Sequence, residues 1–367
     1  LIRWVVPVTS DVAGTQQVAE MVGAHMSFLM NAWYVAAWAE ELRPDAIVAR
    51  RILDQPIALF RRSDGRPAAI LDRCPHRFAP LSAGRIKDDA IACGYHGLAF
   101  DGDGRCVANP HGPVLRNAAI TAWPVHDAHR ATWIWMGDRE RADPALIPDL
   151  SYLGDAPDTA FSAGQLLSGA GQYELFVDNV MDLSHTDFLH PTTLGGGAIT
   201  SARQKIEETP DHIDVTWYSP DTPPSPLLRE LFDDLPASTD FFQKVRWYAP
   251  SVMRLIAATV EAGQPEETAL ANINAHILTP ETSSSTHYFF AATRNYRVDD
   301  HALNERIATT RARIFATEDK PMIESVQARM GDAEFWSLKP LLLSIDAASV
   351  RVRRRLKALI EREAAGR

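Results

Sequence analysis

Cysteine is scarce, with only Cys74, Cys93 and Cys106 among 367 residues. So small and odd a number excludes a disulfide framework and points to a reducing, cytoplasmic setting. Long apolar runs are also missing: no stretch of 18 apolar residues occurs, which excludes a membrane-spanning helix. Residues 1–25 lack the basic start and continuous apolar stretch of a secretory signal and read as a leader or a cloning-derived segment. Cationic side chains are in deficit, Lys+Arg 37 against Asp+Glu 47. The resulting net charge of -10 argues against nucleic acid and anionic membranes as partners. No internal repeat or low-complexity tract is present, which excludes solenoids and disordered arrays.

What remains is the make-up of a folded chain, with 46% hydrophobic and 23% charged residues. The length suggests two domains. Residues 26–142 read as a small all-β domain. Short apolar runs, Ile57 to Phe60, Ala68 to Leu71, Leu98 to Phe100 and Thr132 to Met136, are cut by turns such as Ser63-Asp64-Gly65 and Asp101-Gly102-Asp103-Gly104. A Pro- and Asp-rich stretch from Asp143 to Pro157 reads as a connector. Residues 158–367 mix a helical segment at Glu174 to Leu189 with strands at Ile213 to Tyr218, Val252 to Thr259, Ala271 to Leu278 and Thr286 to Ala292. Helices follow at Leu303 to Met330 and at Ala347 to Glu363, the latter with Asp346 as N-cap and a Val350, Leu356, Leu359, Ile360 stripe. Strands followed by helices predict an α+β domain.

Two of the cysteines stand in paired loops. Cys74-Pro75-His76 and Cys93-Gly94-Tyr95-His96 each follow an apolar run, and each supplies one thiol and one imidazole. Such a set serves either a tetrahedral zinc or a two-iron, two-sulfide cluster. Zinc pairs usually group like with like, whereas one Cys and one His per loop suits two loops clasping a cluster from opposite sides. Gly94 and Gly97 allow close backbone approach, Pro75 stiffens its loop, and Asn109-Pro110 offers a third cover. Cys106 has no matching histidine and reads as a core thiol.

A second constellation, Asp178-Asn179-Val180-Met181-Asp182-Leu183-Ser184-His185-Thr186-Asp187-Phe188-Leu189-His190, has the pattern DxxxDxxHxxxxH. On one helix His185 and His190 would stand about 140° apart, so their convergence requires the helix to loosen or end between them. Asp182, three residues before His185, lies on nearly the same face and is placed to orient its neighbourhood. Two imidazoles and a carboxylate with open positions make the site of a non-haem Fe(II) oxygenase. Two unrelated histidines are the alternative.

Taken together, the CPHR and CGYHG loops, the DNVMDLSH segment, the NAWYVA opening at Asn31 to Ala36 and the later HILTPE and TEDK strings resemble the oxygenase components of Rieske non-haem iron enzymes. Within that family the chain looks most like the vanillate O-demethylase and dicamba monooxygenase branch. The resemblance implies an N-terminal all-β Rieske domain holding a 2Fe-2S cluster on Cys74, His76, Cys93 and His96. It further implies a C-terminal helix-grip domain holding a mononuclear iron on His185, His190 and Asp319, with Glu318 the adjacent competitor and Asn179 behind the ligands. Asp182 would match the bridging aspartate that passes electrons from a neighbouring subunit's His96 in a head-to-tail homotrimer. No GxGxxG fingerprint occurs, so NAD(P)H would act only indirectly, through a separate reductase or ferredoxin.

The implied reaction uses O2 to hydroxylate a C–H bond. On the methoxy group of an aromatic acid this ends in a phenol and formaldehyde. Ring cis-dihydroxylation is the alternative reaction, and a Rieske electron carrier or a zinc-binding module is the alternative class. For substrate contacts, Asn272, Asn274 and His276 share one face of a predicted strand, and His276 matches a substrate-contacting histidine of the dicamba branch. Arg254, in an apolar strand, reads either as a bidentate receptor for a substrate carboxylate or as a side chain that simply reaches solvent. The resemblance departs at Thr310, where the dicamba branch has tryptophan, which argues against dicamba itself.

Overall fold

The computed structural model describes residues 28–114, 117–232 and 235–366, so the expected leader lies outside the described residues. The N-terminal half contains eleven short strands: β1 (Trp33–Trp38), β2 (Val48–Ile52), β3 (Gln55–Arg61), β4 (Pro67–Leu71), β5 (Arg85–Lys87), β6 (Ala90–Ala92), β7 (Ala99–Asp101), β8 (Cys106–Ala108), β9 (Ala122–Trp123), β10 (Val125–Ala128) and β11 (Ala131–Trp135). They form three antiparallel sheets, β2-β3-β4-β9, β5-β6-β7-β8 and β1-β11-β10. The turns are made by the residues that signal them. Gly65 and Gly104 sit at φ +84° and +79°, and the Asp101 carboxylate accepts from the N–H groups of Asp103 and Arg105. Phe60, Ile70, Leu81, Ile91 and Phe100 pack with Cys74 and Cys93 into one small core, which fixes the two cysteine loops. Cys106 is a buried thiol of that core, as expected.

The C-terminal half is a seven-stranded antiparallel sheet with helices. Its strands are β12 (Ala160–Gly169), β13 (Arg203–Glu208), β14 (His212–Thr222), β15 (Thr239–Tyr248), β16 (Val252–Glu261), β17 (Leu270–Thr282) and β18 (Ser285–Arg294), in the order β12-β18-β17-β16-β15-β14-β13. The helices are α1 (Tyr173–Met181), α2 (Thr186–Leu189), α3 (Pro226–Leu231), α4 (His301–Ile314), α5 (Lys320–Met330) and α6 (Ala347–Ala365). Helix α1 buries Leu175, Phe176, Val177, Val180 and Met181 in the core shared with Trp217, Trp247 and Tyr288 of the sheet. Val252, Ala275, Ile277, Phe289 and Ala291 pack on Trp33, Val35, Trp38, Trp133 and Trp135 of the β1-β11-β10 sheet. The Thr279 hydroxyl donates to the Val35 carbonyl at 2.7 Å across that seam. The expected α+β arrangement, a β-rich first domain followed by a helix-gripping sheet, is what the chain adopts.

The start of α6 differs from expectation. The Asp346 carboxylate turns back to accept from Leu343 N–H at 2.6 Å and does not cap the helix. The buried stripe of α6 runs through Ala348, Val352 and Leu356 and includes the charged Arg353, while Val350 stands off it, half-buried. Among the described residues no helix is long and apolar enough to cross a membrane.

Candidate metal centres

The two cysteine loops are built alike. In each, the N–H of the fourth residue after the cysteine donates to the cysteine carbonyl, Phe78 to Cys74 and Gly97 to Cys93, at 2.8 and 2.9 Å. In each, that fourth residue has positive φ, +60° for Phe78 and +78° for Gly97. Both turns thus fold back over a buried thiol, and the rings of His76 and His96 come to 4.5 Å between centroids. The N–H groups of His76 and Arg77 point at the Cys74 sulfur, which lies within hydrogen-bonding range of Cys93. Burial pushes the Cys74 thiol up, with Cys93 adding to the effect. Pro110 closes over Gly97, where a Cβ would meet its ring at 2.8 Å, so the third loop covers the site. The His96 Nδ1 atom is buried and has no partner among the described residues. Two close thiols and an inward imidazole nitrogen left unbonded fit a cluster that supplies the missing partner.

The second centre depends on two interruptions of helix. Helix α1 stops at Asp182, whose backbone is extended and whose carboxylate accepts from Ser184 N–H at 2.9 Å. The expected single helix from Glu174 to Leu189 is therefore three pieces: α1, a 3-10 turn at Leu183–His185, and α2. The break falls before His185 and lets both imidazoles face one point, their rings 5.3 Å apart. The expected helix from Leu303 to Met330 is likewise divided, by a π turn at Phe315–Asp319. Pro321 lacks an N–H and its ring would crowd the carbonyl four residues back, so the chain widens there.

That widened turn sets Glu318 and Asp319 on opposite sides of His190. Asp319 Oδ1 lies 3.3 Å from His185 Nε2 and 3.1 Å from His190 Nε2, and one ligand atom from each of the three residues lies within 4.8 Å of the others. Glu318 accepts from His190 Nδ1 at 2.7 Å and from the Thr193 hydroxyl at 3.1 Å. The Asp182 backbone carbonyl, not its carboxylate, accepts from His185 Nδ1. With each Nδ1 engaged, each Nε2 is left to the metal, the outer hydrogen bond fixing the tautomer. Asn179 Nδ2 donates to Asp319 Oδ1 at 3.1 Å, behind the ligands where it was expected. Burial alone would raise the Asp319 carboxyl, but the facing imidazoles of His185 and His190 outweigh it and hold it well below the usual range. Two imidazoles and one ionised carboxylate around a common point fit a divalent iron.

Above this triad is a cavity of 230 Å³ with mostly apolar walls, including Leu183, Leu228, Phe241, Leu255, Phe290 and Ile307. Asn272, Asn274 and His276 line it from β17, and Thr310 lines it from α4. His276 Nδ1 is hydrogen-bonded to the Tyr288 hydroxyl, and its Nε2 is buried without a partner among the described residues. Burial, then the charge of Arg311, push His276 down to about 3, so the ring is neutral. Arg254 is a correction. Leu255, Ala257 and Thr259 point into the cavity, so Arg254 projects from the other face of β16, towards Asp149 and Tyr152. The arginines that do line the cavity are Arg306 and Arg311 of α4, which the spacing of charges on that helix did not distinguish from their neighbours.

Comparison with known proteins gives a consistent picture. The vanillate O-demethylase oxygenase C-terminal domain family matches residues 170–362, and the Rieske 2Fe-2S domain family matches residues 32–119. The oxygenase component of a chloroacetanilide N-alkylformylase from Rhizorhabdus wittichii is 41% identical over 92% of this chain and 97% of its own. The oxygenase component of a dicamba O-demethylase from Stenotrophomonas maltophilia is 38% identical over 93% of this chain and 100% of its own. A crystal structure of dicamba monooxygenase bound to 3,6-dichlorosalicylic acid superposes with TM-score 0.87 at 38% identity, covering 92% of this chain and 99% of that one.

Proposed function

The chain belongs to the vanillate O-demethylase branch of the Rieske non-haem iron oxygenases, and on that premise we propose that it O-demethylates a methoxylated aromatic acid with release of formaldehyde. The observation that carries this reading is the convergence of His185, His190 and Asp319 beneath a mostly apolar cavity. Its 230 Å³ is below the ~300–1,000 Å³ of drug-sized sites and suits a single substituted ring. When iron is bound, the site supplies O2 activation with two electrons and two protons, one oxygen atom entering the methyl C–H bond and the other leaving as water. The resulting hemiacetal breaks its C–O bond to give the phenol and formaldehyde.

The protein's share of the work is placement. Leu183, Leu255, Phe290 and Ile307 exclude water around the ring, and Asn274 and His276 offer polar contacts on one side of it. Cys74, His76, Cys93 and His96 would hold the 2Fe-2S cluster, reduced from NAD(P)H by a separate reductase or ferredoxin. A homotrimer supplies the route between the centres. The tip of the first domain exposes Phe78 and Tyr95 at 72% and 60%, beside His76 and His96. A second groove, lined by Asp182, His185, Met322, Val326, Leu341 and Leu342, leaves apolar residues uncovered next to the triad. An apolar tip and an apolar groove support head-to-tail contact between subunits.

Asp182→Asn should leave both metal sites loaded while lowering turnover by ~10–100-fold or more. Unchanged turnover would remove the bridging role. The reaction itself is tested by incubating the loaded protein, a reductase and NADH with methoxybenzoates. Formaldehyde equal to phenol is expected, and a cis-diol without formaldehyde would overturn O-demethylation in favour of ring dihydroxylation. A second reading, loss of an N-linked alkyl group, is favoured by the 41% identity to the chloroacetanilide enzyme, and an N-alkyl anilide in the same assay separates it.

A further inference from the structure

Among the described residues of the C-terminal half, Arg294 and Arg353 are buried and Arg311 is half-buried, and the terminal nitrogens of the first two are held by several oxygens. Arg294 donates to the backbone carbonyls of Tyr296, Arg297 and Asp300 and to Asn304 Oδ1. Arg353 is bidentate to Asp178 and also reaches Glu174. Arg311 has no such set. Its Nη1 and Nη2 reach only the Ser162 hydroxyl, at 3.4 and 3.3 Å, and that hydroxyl already donates to the Ala292 carbonyl. Its Nε is buried with no partner, as is that of Arg294, but Arg311 lacks the oxygens that hold the Arg294 terminal nitrogens, and no carboxylate lies within ion-pairing distance among the described residues.

A desolvated guanidinium without a counter-ion is costly, and proteins pair such groups or leave them for a ligand. Arg311 lines the cavity above the triad. Asp319 is the one acid among the described lining residues, and it is taken by two imidazoles and Asn179. The other lining arginine, Arg306, is half-exposed and directed to Glu230. We infer that Arg311 is the receptor for an anionic group of the substrate, a carboxylate held by the guanidinium while the ring lies against the apolar walls. The inference rests on the aromatic-acid reading and deepens it by naming the residue that selects the acid.

The neighbouring chemistry agrees. Burial pulls Arg311 down only to about 10, so it remains cationic at neutral pH. Phe290 lies under the guanidinium, 5.5 Å from its ring centre, which holds the fork without consuming its donors. His276, kept neutral beside it, carries an unbonded Nε2 towards the same space.

The test is calorimetric titration of the loaded protein with benzoate and benzamide, which share a shape and differ in charge. Wild type should prefer benzoate by about tenfold or more, as one charge-assisted pair provides. Arg311→Met should abolish the preference, Arg311→Lys should keep part of it, and the ligand-free Arg311→Met protein should melt no lower than wild type. A structural arginine would instead lower the melting temperature on removal. Arg311→Gln, which keeps a neutral donor towards Ser162, repeats the comparison should the methionine variant not fold. Equal binding of the two probes by wild type, including no binding of either, overturns the inference, as does a benzoate preference that survives in Arg311→Met or Arg311→Gln. Formaldehyde from methoxybenzoate and methoxybenzamide alike would remove the anion receptor and leave demethylation standing. An Arg311-dependent benzoate preference without formaldehyde from any methoxyarene would do the reverse.

Discussion

At the scale of single residues, the candidate mononuclear site rests on His185 and His190, whose Nδ1 atoms are already committed, and on Asp319. Asp319→Ala should empty the mononuclear site and leave the cluster, so that iron falls from three to two for every two sulfides while the visible spectrum persists. Retention of the third iron would shift the ligand role to Glu318, which in the structure is turned instead to His190 Nδ1. His276 supplies a pH dependence. Its folded pKa is pushed down to about 3, against about 6.5 for an unfolded chain, so between those values the unfolded state binds one more proton. Stability should therefore fall as pH drops through that window, at up to about 1.4 kcal/mol per unit from this residue. A His276→Gln variant should show a shallower decline of melting temperature between pH 6.5 and pH 4. The cysteine-histidine loops and the His185–His190 pair were legible in the sequence because ligand chemistry demands particular side chains at short spacing, and Asp319 and His276 were legible only through the family resemblance. The arginine was not. Arg254 stood out as a charge in an apolar strand, but which face of a strand turns inward depends on what packs against each side, and the register of β16 with β15 and β17 is set by residues far away in the chain.

At the scale of elements, the departures from regular helix are what place the chemistry. Spacing alone announced that His185 and His190 could not converge on an unbroken helix. That Asp182 makes the break, by capping the following turn with its own carboxylate, requires the backbone to be seen. The π turn at Phe315–Asp319 was hidden because Pro321 reads in sequence as an ordinary first-turn proline. Pro321→Ala should permit a regular helix through this region, leaving the melting temperature unchanged or raised. It should also move Glu318 and Asp319 relative to His190. Lower iron at the mononuclear site with an intact cluster is the expected result, and full iron occupancy would show that the widened turn is held by other contacts.

At the scale of the whole molecule, β14, β16, β17 and β18 were anticipated, whereas β12, β13 and β15 were not, although β15 alternates buried and half-buried residues from Gln243 to Tyr248. β12 is interrupted by a register shift between Ser162 and Gln165, and β13 is a mostly polar edge strand, so neither carries an uninterrupted period of two. Long-range ties also escape a local reading. Arg353 binds α6 to α1 through Asp178 and Glu174, the helix that leads directly into the metal-binding turn. Arg353→Leu would leave two half-buried carboxylates without their cation, a loss at or below the low end of the about 3–5 kcal/mol that breaking a buried pair costs. Burial already raises both acids, so protonation relieves the strain, and the loss in melting temperature should be larger at pH 8 than at pH 5.

The Glu363 carboxylate, in the last turn of α6, grips the main-chain N–H groups of Met30 and Asn31 at 2.8 and 2.6 Å. The first described residues are thus tied to the last helix. Joining Gly366 to Phe28 through a short linker and reopening the chain in the loop between Asp143 and Pro157 would give a circular permutant. Its oxygen-activating half would emerge first from the ribosome, with the electron-storing half following.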